Sequence, residues 1–170
     1  GRHVQRAALS HAAKSGVQFV NISPRRVDID SDIAPRWMPV RPNSDTALLL
    51  AMCHVLHRDG LLDSAFVERY AVGYGEFAAY LDGQVDGVLK NAAWAAPLTG
   101  IAEADIIALA HEMAGKRTLI GVSWSLSRQQ WGEQPFWAAI ALATLLGQIG
   151  LPGGGIGFGY GIANHMGNNA

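Results

Sequence analysis

Apolar residues recur at near-helical spacing over residues 2–15, where Val4, Ala8, Ala12 and Ala13 share one side and Ser15-Gly16 supplies a glycine stop. Residues 17–22, Val-Gln-Phe-Val-Asn-Ile, then read as a short, mostly apolar strand closed by Ser23-Pro24. Pro24, Pro35, Pro39 and Pro42 mark residues 24–44 as a long excursion, with room for one short strand over residues 37–40. An excursion of that length in a compact domain is usually functional. Asn43-Ser44-Asp45 offers N-cap chemistry before a strongly apolar helix over residues 46–56. Shorter helical stretches follow near residues 63–71, 75–82 and 86–94, then a helix over 104–114. Residues 116–122 read as a second strand, ended by Ser123-Trp124-Ser125. A long apolar helix over residues 133–149 is broken by Gly150-Leu-Pro-Gly-Gly-Gly155.

This order of helix, strand, long loop, helices, strand, loop and helix predicts an α/β fold with a parallel sheet. No internal repeat appears. The apolar stretch over residues 136–151 is 16 residues long and includes Thr144 and Gln148, whereas a membrane span needs about 20 mostly apolar residues. A helix apolar nearly all round is expected inside a large protein, so the pattern predicts a buried helix and no membrane span.

Composition narrows the function classes. Hydrophobic residues make up 49% and charged residues 16%, which describes a globular chain rather than a disordered one. A net charge of -1 gives no electrostatic basis for binding nucleic acid. The single cysteine, Cys53, excludes an internal disulfide and any cysteine-built zinc or iron–sulfur motif. Both ends read as cuts through a longer chain: the first opens directly into a helical pattern, and the last stops in a glycine-rich stretch.

In open α/β sheets ligands bind outside the carboxyl ends of strands, and two loops qualify. One runs from Ile22-Ser23-Pro24 to Arg41-Pro-Asn-Ser-Asp45. There the helix N–H groups can donate to a phosphate or carbonyl oxygen, the Asp45 carboxylate can accept from the paired N–H donors of a guanine, or the three residues simply cap the helix. The other loop, Ser123-Trp-Ser-Leu-Ser-Arg128, gathers hydroxyls, an indole N–H and a guanidinium at a strand end. Arg128 can fork onto a phosphate or carbonyl. Alternatively the loop satisfies itself, with Trp124 packed in the core and Arg128 paired to Glu133 at the surface. The site reading instead has Arg128 pointing into the same crevice as Ser23 and Asp45.

Other motifs offer less. Glycines over residues 153–161 follow a helix and lead to loop, so they are not a dinucleotide fingerprint, which follows a strand and opens a helix. They suit a bend or a close backbone approach. His54 and His57 lie three apart on a helix without a carboxylate partner at i+4, and Glu112 beside His111 reads as a solvated face. No Ser-His-Asp or paired-carboxylate set is evident.

At these same two loops the sequence resembles a known family. Val20-Asn-Ile-Ser-Pro24 and Trp37-Met-Pro-Val-Arg-Pro-Asn-Ser-Asp-Thr-Ala-Leu48 resemble the central region of the bis(molybdopterin guanine dinucleotide) oxidoreductases of the dimethyl sulfoxide reductase family. Gly121-Val-Ser-Trp-Ser-Leu-Ser-Arg128, Gly132-Glu-Gln-Pro135 and Leu146-Gly-Gln-Ile-Gly-Leu-Pro-Gly-Gly-Gly155 resemble its S- and N-oxide reductase branch, which includes biotin sulfoxide, trimethylamine N-oxide and dimethyl sulfoxide reductases. The second block is the specific one; the first is shared across the wider family.

The resemblance implies an incomplete, Rossmann-like layered domain with helices on both faces over residues 1–152, within a larger multidomain enzyme, and a glycine-rich segment over 153–170 leading to the rest of the parent chain. It implies that Ile22 and Ser23 line a bis(molybdopterin guanine dinucleotide) molybdenum cofactor, that Asn43, Ser44 and Asp45 contact its guanosine end, and that Trp124, Ser125 and Arg128 contact its pterin side. It further implies partners: the remaining domains of the parent, a small-molecule oxide substrate and an electron-donor protein, in bacterial cytoplasm or periplasm. In this branch a serine also ligates the molybdenum, but no serine here matches that motif. The chain alone is then expected to lack reductase activity. A stand-alone nucleotide-binding domain and a non-catalytic fold module are the competing classes.

Overall fold

The computed structural model describes residues 2–158, which form two compact units, residues 2–40 and residues 41–158. In the first unit, helix α1 (Arg2–Lys14) ends where Gly16 takes φ of 89° and the Val17 amide donates back to the Ala12 carbonyl at 3.1 Å. This is the glycine stop that the pattern predicts. Strand β1 (Val20–Ile22) pairs in parallel with β2 (Arg36–Met38), with Val20 opposite Arg36 and Ile22 opposite Met38. A parallel pair needs a crossover of a dozen or more residues, and the proline-rich excursion supplies it. Two short 3-10 turns, Arg26–Asp28 and Ser31–Ile33, shape the crossover, and Ile33 and Met38 are buried.

The second unit is organised around α2 (Asp45–Arg58), in which every residue from Leu48 to Leu56 is buried. Helices α4 (Tyr74–Leu81), α5 (Ala92–Thr99), α6 (Glu103–Ala114) and α7 (Gln134–Leu145) all pack on it, and α3 (Ser64–Tyr70) packs on α7. Strand β3 (Leu119–Val122) pairs in parallel with β4 (Gly155–Phe158), and α7 runs between them, making one βαβ unit. The α/β class with parallel strands is as the sequence predicts. The described strands form two separate pairs rather than one continuous sheet.

Three elements differ from expectation, each for a local reason. Residues 86–91 are not helical: Gly83 and Gly87 take φ of 76° and 75°, and the buried Lys90 ammonium binds Asp86 at 2.8 Å while lying 4.1 Å from the Tyr80 ring centroid. The next helix therefore starts at Ala92, where the Asn91 side chain accepts from the Trp94 amide at 2.8 Å. Helix α7 stops at Leu145 rather than residue 149. Gly147 has φ of 67°, and a Cβ there would lie 2.4 Å from the Asp63 carboxylate, which caps α3.

The third difference is the glycine-rich stretch. It does not lead straight to loop, because residues 155–158 form β4. The expected close backbone approach is present. A Cβ on Gly154 would come within 3.1 Å of the Gln148 side-chain oxygen. Gln148 is buried and clamps the entry to β3, accepting from the Thr118 amide at 2.6 Å and donating to the Lys116 carbonyl at 2.8 Å. The rest of the glycine stretch, residues 159–161, lies outside the described residues.

Among the described residues no single helix is long and apolar enough to cross a membrane.

Candidate functional site

In the first unit the end of β1 is built from side chains as much as backbone. Buried Asn21 donates to the carbonyls of Arg25 and Arg26 at 3.3 and 3.2 Å. The Ser23 hydroxyl donates to the Asp28 carboxylate and accepts from the Arg25 amide at 3.0 Å, while the Trp37 indole N–H donates to the Ser23 carbonyl at 2.9 Å. Ser23 is buried and its hydroxyl is committed to the turn, and Ile22 beside it is half-buried. Asn21 and Trp37 escaped the sequence reading because their partners are carbonyls, which leave no residue-type pattern.

In the second unit the segment entering α2 is anchored from the far end of α5. The Arg41 amide donates to the Thr99 carbonyl at 2.8 Å, and its guanidinium donates to the Pro97 carbonyl. Gly100 makes room for this, since a Cβ there would sit 3.3 Å from the Arg41 Nε. Exposed Asn43 takes a left-handed φ of 66°, and the Ser44 hydroxyl donates back to the Arg41 carbonyl at 2.6 Å.

No side chain caps α2. The capping alternative for Asn43, Ser44 and Asp45 therefore fails on geometry. The helix opens with bare N–H groups and with Asp45, whose carboxyl is half-buried. Burial pushes the Asp45 pKa up, opposed only by its own backbone N–H. A carboxyl in that position gains from an external donor.

The loop after β3 is a 3-10 turn, Trp124–Ser127, tied by its own hydroxyls. Ser123 Oγ accepts from the Ser125 amide at 3.3 Å and from the Ser125 hydroxyl at 3.0 Å, and the Ser127 hydroxyl donates to the Trp124 carbonyl at 2.7 Å. Gly132 closes the loop, since a Cβ there would collide with the Ser127 carbonyl at 2.6 Å. Trp124 is not in the core. It is 47% exposed and stacks on Phe158 of β4 at 5.7 Å, and Phe158 meets Phe136 of α7 edge-on at 5.1 Å. Ser125 and Arg128 are exposed, and among the described residues Arg128 has no acidic partner; Glu133 accepts from Gln134 instead. A flat aromatic face and a free planar cation thus flank a rigid turn at the carboxyl end of a parallel strand.

A second cluster was not foreseen. His57 Nδ1 lies 2.7 Å from the Tyr74 hydroxyl, and Asp82, at the end of α4, places its carboxylate 3.5 Å from His57 Nε2 and 3.8 Å from His54 Nε2. The carboxylate missing at i+4 comes from another helix. A proton on His57 Nε2 facing Asp82 lets Nδ1 accept from Tyr74. His54 is buried, its Nδ1 has no partner, and its pKa is lowered by burial, against the pull of Asp82. His111, exposed on α6, pairs with Asp59 at 2.7 Å. Arg58 and then His111 hold the Asp59 pKa down to about 2. No group of three or more His, Cys, Asp or Glu among the described residues is arranged to hold a metal ion.

The family model described as molybdopterin oxidoreductase covers residues 2–170. A biotin sulfoxide reductase from Cereibacter sphaeroides is 43% identical over 98% of this chain, which covers 22% of that protein. A trimethylamine-N-oxide reductase from Haemophilus influenzae is 39% identical over 88% of the chain and 18% of its own length. The acetylene hydratase of Pelobacter acetylenicus superposes with a TM-score of 0.71 at 27% identity, covering 84% of this chain and 19% of that one. The chain thus spans about a fifth of the length of these relatives, and it belongs to the molybdopterin oxidoreductase family.

Proposed function

We propose that this chain is the cofactor-holding part of a molybdenum enzyme that reduces S- or N-oxides, and that the cofactor is the bis(molybdopterin guanine dinucleotide) form. The observation that carries the reading is the turn after β3. It offers the half-exposed face of Trp124 and the unpaired guanidinium of Arg128 on a scaffold fixed by Ser123, Ser127 and Gly132. An aromatic face suits a pterin ring, and a guanidinium forks onto its carbonyl or phosphate oxygens.

The residues at the start of α2 fit the guanosine end. Asp45 is a half-buried carboxyl in need of a donor, and the uncapped N–H groups beside it favour anionic oxygen. Asn43 and Ser44 shape that entry, and Ser125 keeps hydroxyl lone pairs open to a donor. Ile22 and Ser23 take their lining role from the resemblance, with Ser23 contributing the shape of its turn rather than a free hydroxyl. When bound, the molybdenum group supplies the two-electron chemistry of oxide reduction; these side chains bind and orient it. The βαβ unit of β3, α7 and β4 is part of a Rossmann-like layer whose further strands belong to the rest of the parent. That parent also supplies the metal's protein ligand, the oxide pocket and the surface for an electron donor.

The test is chemical analysis of the full-length parent. Molybdenum together with about two releasable guanine nucleotides per metal is the expected result. Guanine nucleotide without molybdenum would favour a nucleotide-binding domain, and neither would favour a fold module.

A further inference from the structure

Trp124 stands on a turn whose backbone is fixed, but nothing in that turn fixes its ring. The hydroxyls of Ser123 and Ser127 tie the main chain of the turn. The Trp124 indole N–H has no hydrogen-bond partner among the described residues. A half-exposed side chain with free torsions and no polar anchor spreads over several staggered rotamers. A platform for a flat ligand needs one.

The ring that selects one is Phe158. Its centroid lies 5.7 Å from that of Trp124, with the planes 26° apart, so it covers one face of the indole and leaves the other free. Phe158 is braced in turn by Phe136, which meets it edge-on at 5.1 Å and 81°. Both are arrangements that ring quadrupoles favour. Phe136 lies in the first turn of α7, half-buried beside the buried Pro135, Ala138 and Ala139. Register completes the arrangement: Phe158 ends β4 opposite Val122, which ends β3 two residues before Trp124. The bracing therefore runs from the helix, through the end of one strand, to the loop beyond the next. Burial alone is a poor reason for a phenylalanine at this position, because Phe158 keeps 53% of its surface exposed and forgoes much of its hydrophobic gain.

We propose that Phe158 is a positioning residue for the cofactor: it holds the Trp124 ring in the orientation that meets the flat pterin, and acts on the pterin only through that ring. The inference rests on the reading of the turn after β3 as the pterin side of the site. Trp124, Phe158 and Phe136 all belong to the unit of residues 41–158, so the relay is complete within it.

The test is a double-mutant cycle on the cofactor-loaded, full-length parent, read as the rate at which molybdenum is lost during dialysis. Trp124→Leu is expected to speed the loss. Phe158→Leu should speed it by roughly 3- to 10-fold, the worth of one aromatic pair. Once residue 124 is already leucine, the same change should alter the rate by less than about 1.5-fold. Phe158→Tyr keeps the ring and should stay within about 1.5-fold of the unsubstituted parent. If Phe158→Leu does not load cofactor, Phe158→Val, suited to a strand, takes its place in the cycle. Equal acceleration in both backgrounds would show a role independent of Trp124 and overturn the proposal. Loss unchanged by Phe158→Leu but hastened by Trp124→Leu would overturn it too, with the pterin reading intact. Loss unchanged by Trp124→Leu would overturn the pterin reading itself, and this inference with it.

Discussion

Replacing Arg128 with lysine separates a binding residue from a scaffold residue with unusual clarity, because Arg128 has so little to do within the chain. Its side chain is exposed and has no acidic partner among the described residues, and the turn that carries it is held by Ser123, Ser127, Gln129 and Gly132. A surface substitution of that kind changes stability by about 0.5 kcal/mol or less. Toward a bound cofactor the balance differs. A guanidinium delivers two parallel N–H donors to a carbonyl or phosphate, and an ammonium cannot reproduce that planar fork.

Each hydrogen bond to a charged group is worth about 1.5–3 kcal/mol, so losing one weakens retention by roughly 10- to 150-fold. The assay is molybdenum content of the purified full-length Arg128→Lys parent, before and after prolonged dialysis, with the thermal transition of the cofactor-free protein alongside. The expected result is depleted molybdenum with an unchanged cofactor-free transition. Full molybdenum retention would refute the assignment of Arg128, and a destabilised cofactor-free protein would refute the claim that it is idle in the fold.

Three further outcomes follow from the same geometry. Asp45→Asn removes one acceptor from a guanine donor pair and sets an N–H against it, at about 1.5–3 kcal/mol, so the parent should load less molybdenum; unchanged loading would contradict the guanine contact. Because burial raises the Asp45 pKa, the same change should not destabilise the cofactor-free fold. The lowered pKa of His54 means that the unfolded chain takes up its proton first as pH falls below about 6.5, so α2 and α4 should lose protection by up to about 1.4 kcal/mol per pH unit. Hydrogen exchange at pH 7.5 and 5.5 reads this, and His54→Met should flatten the difference; an unaltered pH dependence would remove His54 from the account. Gly147→Ala should cost about 2–4 kcal/mol, from left-handed strain plus displacement of the Asp63 cap, whereas Gly150→Ala, with nothing within 4 Å of its Cβ, pays the strain alone. Equal falls in melting temperature for the two variants would show that Asp63 simply moves aside.

Much of this fold was legible because its signals are local. The nine buried residues of α2, the glycine stop at Gly16 and the succession of β3 and α7 are all written in short-range pattern. What was not legible depends on glycine conformations and on side-chain partners that the apolar pattern does not encode. The helix expected over residues 86–94 yielded to two left-handed glycines and the Lys90–Asp86 clasp. The early stop of α7 is set by Asp63, some eighty residues upstream. Strand β4 looked like glycine-rich loop because a four-residue strand with two glycines has almost no side-chain pattern of its own.

The site divides in the same way. Arg128 and Trp124 were visible as polar and aromatic residues crowded at a strand end, but only the structure shows Arg128 unpaired and Trp124 stacked on Phe158. The Asp82–His54–His57–Tyr74 cluster joins two helices across space, and helical spacing within α2 showed only its two histidines.

The most direct measurement is an experimental structure of the intact parent with its cofactor bound. The account predicts an Arg128 nitrogen and an Asp45 carboxylate oxygen within about 2.7–3.2 Å of cofactor atoms, with the Trp124 ring against the pterin and guanine at Asp45. A bound cofactor that leaves Arg128 and Asp45 in contact only with solvent or protein would contradict the central claim.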